Sequence, residues 1–237
     1  MTYRKWLGVL HLAVAAFLLF TFVFQIIDLA IGKSLIPDHY FVFFTNDTTM
    51  IAIMLLTLTG LSMLRKRQDA VLLTSAALAV VPLAMVTGIV YNLTLRGLPS
   101  EVYLGMPWEN EVLHVFVPLF LTIDWFVLRL FDRGRPALPW KALWIALIFP
   151  LLWVTFTFSR GYLIDGWFPY PFLQPSAGPG VIGGYVGGIA VFVVLIAAFG
   201  ILISKYRSAS LLVDDAAPAN QRVGAAGSST SDTSGTR

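Results

Sequence analysis

A chain of 237 residues in which 57% are hydrophobic and only 12% charged lies far from the roughly one-quarter charged composition of soluble domains, and a mean hydropathy of +0.78 excludes an ordinary water-soluble fold. The absence of cysteine excludes disulfides, cysteine-ligated iron–sulfur clusters and thiolate catalysis. The formal charge of +3 arises from Lys and Arg placed between apolar runs, so it reports membrane topology and lends nothing to a nucleic-acid partner.

A membrane-crossing helix needs about 20 apolar residues, and the sequence predicts six, at roughly 6–31, 42–64, 70–92, 111–131, 141–160 and 181–204. The expected fold is all-α: a polytopic bundle of six transmembrane helices forming one domain, 1–207, followed by a tail, 208–237. That tail is rich in Ala, Ser, Gly, Thr and Asp and is expected to be disordered. The first run exceeds the ~7 to 15 residue core of a signal peptide, and its small-x-small triplet Ala13-Val14-Ala15 lies mid-run, so it is expected to be retained as helix one. With the N-terminus inside, thirteen basic residues fall on inner segments (Arg4, Lys5, Arg65, Lys66, Arg67, Arg129, Arg133, Arg135, Lys141, Lys205, Arg207, Arg222, Arg237). Three fall on outer ones (Lys33, Arg96, Arg160). The positive-inside rule then predicts cytoplasmic N- and C-termini.

Taken in chain order, span one carries His11 toward its inner end, read as structural, and Asp28 near its outer end. Span two opens with Thr45-Asn46-Asp47-Thr48-Thr49. A short basic connection, Arg65 to Asp69, makes spans two and three antiparallel neighbours, and span three ends at Asn92 after Pro82 and Gly88. The outer connection Leu93 to Asn110 contains Gly97, Pro99, Gly105 and Pro107. Span four carries Glu111, His114, Pro118 and Asp124, and a second short connection, Asp132 to Pro136, leads to span five, which ends at Arg160. The second outer connection, Gly161 to Gly180, holds Gly166-Trp167-Phe168-Pro169-Tyr170-Pro171-Phe172 and is expected to lie over the outer headgroups as a lid or rim. Span six contains Gly183-Gly184, Gly187-Gly188 and Gly200, a spacing that predicts tight packing within the bundle ahead of a dimer seam.

The polar residues inside the runs share a depth. At a rise of ~1.5 Å per residue, Thr45 and His114 each lie about one turn below the outer boundary, with Asn92 and Arg160 at the outer ends of their spans. At 100° per residue, Thr45, Thr48 and Thr49 share one face of span two, and Glu111, His114 and Pro118 one face of span four. Asp47 lies about 200° from Thr45, so either the segment around Asn46 unwinds or Asp47 serves another contact.

A hydroxyl is a weak nucleophile until a base takes its proton, and His has the pKa for that task. Thr45 as nucleophile and His114 as general base would make an ester hydrolase for lipids entering from the outer leaflet. Asn46, Asn92 or Arg160 could donate to the oxyanion, with Trp167 beside them as a candidate substrate-binding residue. Structural readings stand alongside: a membrane Thr bonding to the carbonyl one turn back, a His completing a helix-end hydrogen bond, and Arg160 anchoring its helix at the headgroups. Asp47, Glu111 and Asp124 are read as structural polar residues, Asp124 pairing with a buried donor on a neighbouring span. Three histidines at different levels do not supply paired haem ligands. His39, Asp38, Asp47, Glu111 and His114 have no HExxH-like spacing for zinc, so neither metal nor cofactor is expected.

Phe43-Phe44-Thr45-Asn46-Asp47, Asn110-Glu111-Val112-Leu113-His114 with Pro118, and Gly166-Trp167 with Tyr170-Pro171-Phe172-Leu173 resemble a six-span family. It comprises the androgen-induced-gene protein, the androgen-dependent regulator of tissue factor pathway inhibitor and bacterial six-span members, the last being the more similar. The likeness spans roughly residues 6–204. It implies a threonine hydrolase of fatty acid esters of hydroxy fatty acids, with Thr45 and His114 as the reacting pair, in a bacterial cytoplasmic membrane. The animal pattern has a second His where this chain has Glu111, and Thr48 and Thr49 compete with Thr45 for the nucleophile's place. The competing reading is a non-enzymatic lipid- or solute-binding membrane protein, a transporter or sensor, holding a headgroup in the same polar pocket. The sequence specifies no oligomeric state and no protein partner.

Overall fold

The computed structural model describes residues 2–65, 68–97 and 107–228, with side chains as far as Ser208. Lys66 and Arg67 of the first basic connection, Pro99 and Gly105 of the first outer connection, and tail residues 229–237 lie outside the described residues. Among the described residues, six helices are long and apolar enough to cross a membrane: α1 (Tyr3–Ile31), α2 (Phe44–Leu64), α3 (Val71–Val90), α4 (Pro107–Phe131), α5 (Ala142–Arg160) and α6 (Pro179–Ser228). No strand occurs among the described residues.

Helix α3 is the hub. It has no charged residue and is apolar nearly all round, the pattern of a helix enclosed by others, and it packs on α2, α4, α5 and α6. Helix α1 lies against α2, where Gly8 and Gly60 face each other. A Cβ on either would come within 2.9 Å of the other's carbonyl oxygen, so only glycine permits this crossing.

Both ends of the chain's helical bundle meet at one pole, here the terminal pole. Arg4 of α1 donates to Asp132 at 2.5 Å and to Asp69 at 2.9 Å, and Arg129 donates to Asp69 at 2.9 Å. Ser62 donates to Asp69 at 2.6 Å. Arg207 of α6 caps the carbonyls of Leu130 and Asp132. Four separate parts of the chain are thereby tied through buried charge.

The opposite, distal pole departs from regular helix three times. A π-helical turn, Tyr91–Leu95, extends α3; another, Val112–Phe116, interrupts α4; a third, Gly161–Asp165, extends α5. One cause is visible in α4. Pro118 has no N–H to offer the His114 carbonyl four residues back, and that oxygen instead accepts from Asn92 Nδ2 at 3.1 Å.

One sequence expectation changes. The glycines of α6 do not serve tight packing as a set: Gly183, Gly184, Gly187 and Gly188 are exposed, with nothing within 4 Å of an added Cβ. Gly200 alone among these is enclosed, against Leu78 and Trp125. The backbone of α6 is helical as far as Ser228.

Candidate functional site

The second outer connection is more plug than rim. Gly166, at φ +72°, turns the chain after the π-helical end of α5. Phe168 and Leu173 are buried, Phe168 packing on Phe158 and Tyr162. Tyr170 stacks on Phe172, which stacks on Tyr185 of α6. Its ring also meets Phe43 and Trp153, and its hydroxyl oxygen accepts the Phe44 amide at 3.1 Å. Helix α2 begins after Phe43, which has no side-chain oxygen to cap it, so the phenol satisfies an otherwise orphaned first-turn donor.

One residue further on, Thr45 Oγ1 lies 3.2 Å from His114 Nε2. His114 Nδ1 lies 3.0 Å from the Asn110 carbonyl, which can only accept. The network therefore assigns the proton to Nδ1 and leaves the Nε2 lone pair facing the threonine hydroxyl. Tyr91 stacks on the imidazole at 3.8 Å between centroids, and Asn92 holds the His114 carbonyl. Sequence spacing brings Thr45 and His114 to one depth and two facing helices; the coordinates bring the two functional atoms together.

The pair closes one end of a cavity of about 110 Å³ between α3, α5 and α6. Val86, Val90, Leu147, Leu151, Val186 and Ile189 are part of its wall, with Tyr91 and Tyr170 also lining it. Leu151 is about half exposed on the bundle's outer surface, so the wall reaches the face that α5 turns to lipid. The titratable group at this site outside the spans is Tyr170: burial pushes its phenol well above the ordinary tyrosine value, so it keeps its proton.

The remaining candidates divide. Asn92 Nδ2 spends both of its N–H groups on the Gly88 and His114 carbonyls, and Asn46 Nδ2 donates to the Tyr40 carbonyl at 2.8 Å and does not line the cavity. Arg160 pairs with Asp165 at 2.5 Å and lies over the Trp167 ring, whose plane stacks on His39 at 3.9 Å. That cluster sits apart from the cavity. Asp47 is half-buried and off the cavity wall, and its carboxylate makes no hydrogen bond or ion pair with a described residue; α2 is regular through it, so no unwinding occurs at Asn46. Glu111 forms an exposed two-pronged pair with Arg96, at 2.6 and 3.0 Å.

Asp124 Oδ1 lies 2.8 Å from His11 Nε2, and His11 Nδ1 lies 2.8 Å from Thr59 Oγ1. This is a second hydroxyl, imidazole and carboxylate set, toward the terminal pole. The space beside it is about 10 Å³, room for no more than one water, so it is built as a core network. Among the described residues no three His, Asp or Glu side chains converge as a metal site requires.

Tyr91 and Tyr170 escaped the sequence reading. Tyr91 stands at the end of an apolar run and Tyr170 in the connection between two spans, where Tyr ordinarily marks the interface, and only tertiary packing turns them inward. No family model, no curated protein and no solved structure matches this chain.

Proposed function

We propose that this protein is a membrane-embedded lipid ester hydrolase in which Thr45 attacks the acyl carbonyl and His114 moves the proton. The observation that carries the reading is the 3.2 Å approach of Thr45 Oγ1 to an imidazole nitrogen whose lone pair is freed by the bond from Nδ1 to Asn110, on the wall of an apolar cavity. That distance is within the reach expected of a nucleophile and its base.

The reaction balances with water as co-reactant. Nε2 takes the Thr45 proton as Oγ1 bonds to the carbonyl carbon, and the carbonyl electrons move to oxygen. Collapse breaks the bond to the alcohol, which leaves with the proton from Nε2. Water then repeats the sequence on the acyl-threonine, releasing the fatty acid and restoring Thr45. A wall built from Val, Leu and Ile suits an alkyl chain, so the substrate class is a long-chain acyl ester drawn from the bilayer. Fatty acid esters of hydroxy fatty acids, implied by the family resemblance, fit that class. The charge bias of the connections supports an exterior position for the distal pole and hence access from the outer leaflet. The cytoplasmic membrane of a bacterium is the setting that the resemblance suggests.

With purified protein, Thr45→Ala should reduce hydrolysis of such an ester to background and remove labelling by a fluorophosphonate probe. His114→Ala should cost about 10²- to 10⁴-fold. Wild-type rates in either well-folded variant would discard the mechanism. A wild-type protein that retains lipid but neither cleaves esters nor labels would instead be the lipid-binding protein of the second reading.

A further inference from the structure

Acyl transfer to Thr45 creates a negative oxygen one bond angle from Oγ1, and in an apolar cavity that charge needs a hydrogen-bond donor already in place. The amides that the sequence offered do not serve: Asn92 spends both N–H groups on the Gly88 and His114 carbonyls, and Asn46, bonded to the Tyr40 carbonyl, does not line the cavity. Arg160 is held by Asp165, away from the cavity. We propose that the oxyanion donor is the hydroxyl of Tyr170, an assignment that rests on the hydrolase reading and supplies its missing group.

Three features of the geometry converge on this hydroxyl. Its oxygen accepts the Phe44 amide at 3.1 Å, and the amide and side chain of Thr45 are also within its hydrogen-bonding reach. With the oxygen accepting from the first-turn amide of Phe44, the O–H is left for an acceptor beside it, the Thr45 oxygen or a carbonyl held in the cavity that Tyr170 lines. Amide donors on the oxygen strengthen the O–H as a donor. The ring is fixed by Phe43, Trp153 and Phe172, so the group needs little reorganisation when charge appears. In the resting site the hydroxyl faces Thr45 Oγ1; once that oxygen is acylated, the adjacent carbonyl oxygen becomes the stronger acceptor. His114 and Tyr91 are the other titratable groups on the cavity wall, and the charge of Asp47 on α2 also acts on the phenol.

Tyr170→Phe keeps the ring and deletes only the donor. Assayed as full-length protein on a p-nitrophenyl long-chain ester, it should lose about 10²- to 10³-fold in kcat with KM little changed. Affinity for an acyl trifluoromethyl ketone, whose adduct with Thr45 carries the oxyanion, should weaken in parallel, whereas binding of the matching non-hydrolysable ether should not move. A purely structural tyrosine would instead lower ether binding and thermal stability together with rate. Should Tyr170→Phe misfold, a fluorinated tyrosine at position 170 keeps ring and hydroxyl: the alkaline loss of kcat should then shift to lower pH in step with phenol acidity. Full kcat and ketone affinity in Tyr170→Phe, or an unmoved alkaline limb, beside an inactive Thr45→Ala, overturns the role of Tyr170 alone. Full activity in Thr45→Ala, or an inert wild type, overturns the hydrolase reading and this assignment with it.

Discussion

Three threonine hydroxyls within five residues of α2 have three different fates. Thr45 faces the imidazole at 3.2 Å, Thr49 donates to the Thr45 carbonyl at 2.8 Å, and Thr48 Oγ1 is buried with no partner among the described residues. Helical geometry read from the sequence puts all three on one inward face, so it cannot choose among them; the choice is made by which one His114 reaches across from α4. An unsatisfied buried hydroxyl is costly, whereas an apolar group of the same shape is not. Thr48→Val is therefore expected to leave hydrolysis intact and to stabilise the protein by about 1 kcal/mol, read as a raised melting temperature in detergent. Loss of activity in that variant would move the nucleophile. The partners that Asn92 and Asn46 take have a local reason. A side-chain amide goes to the nearest unpaired carbonyl, and whether one is unpaired depends on details such as Pro118, whose missing N–H releases the His114 oxygen to Asn92.

At the scale of elements, hydropathy located all six helices, because about 20 apolar residues in a row have few other solutions. The helix ends at the distal pole were less legible. Helix α4 starts at Pro107, and π-helical turns carry α3 to Leu95 and α5 to Asp165; these stretches contain Asn, Gly and Pro and read as loop. The glycines of α6 show the same limit, since a small-residue spacing says that close approach is possible and cannot say whether a neighbour uses it. Gly187→Ala, in open surroundings, should be neutral or stabilising by about 0.5–1 kcal/mol through helix propensity. Gly200→Ala should destabilise by about 1–3 kcal/mol, because its Cβ would meet Leu78 and Trp125. Thermal melts of the two variants side by side check both signs. A destabilised Gly187→Ala would reveal a packing partner on that face.

For the whole molecule, the charge bias that predicts topology turns out to hold architecture as well. Arg4, Arg129 and Arg207 belong to the thirteen basic residues of the inner segments, yet their guanidinium groups are spent on Asp69, Asp132 and backbone carbonyls. No sequence rule pairs Arg4 with acids 65 and 128 positions away; only the closed bundle does. Breaking a buried pair leaves an uncompensated charge, at a cost of about 3–5 kcal/mol. Asp69→Asn, which faces Arg4, Arg129 and Ser62 together, should lower thermal stability by that order while leaving the Thr45 and His114 geometry at the other pole untouched. A melting temperature equal to wild type would show that the network contributes little.

The same network bears on biogenesis. Asp69 follows α2 directly, but Arg4 gains its second carboxylate only when the ribosome has passed Asp132. Arg4 can therefore pair with Asp69 once α2 is made, whereas the full cluster with Asp132 and Arg129 waits for the fourth helix. Closure of this pole belongs to a late, long-range stage of folding, and nascent chains halted before the fourth helix should remain open to proteolysis there.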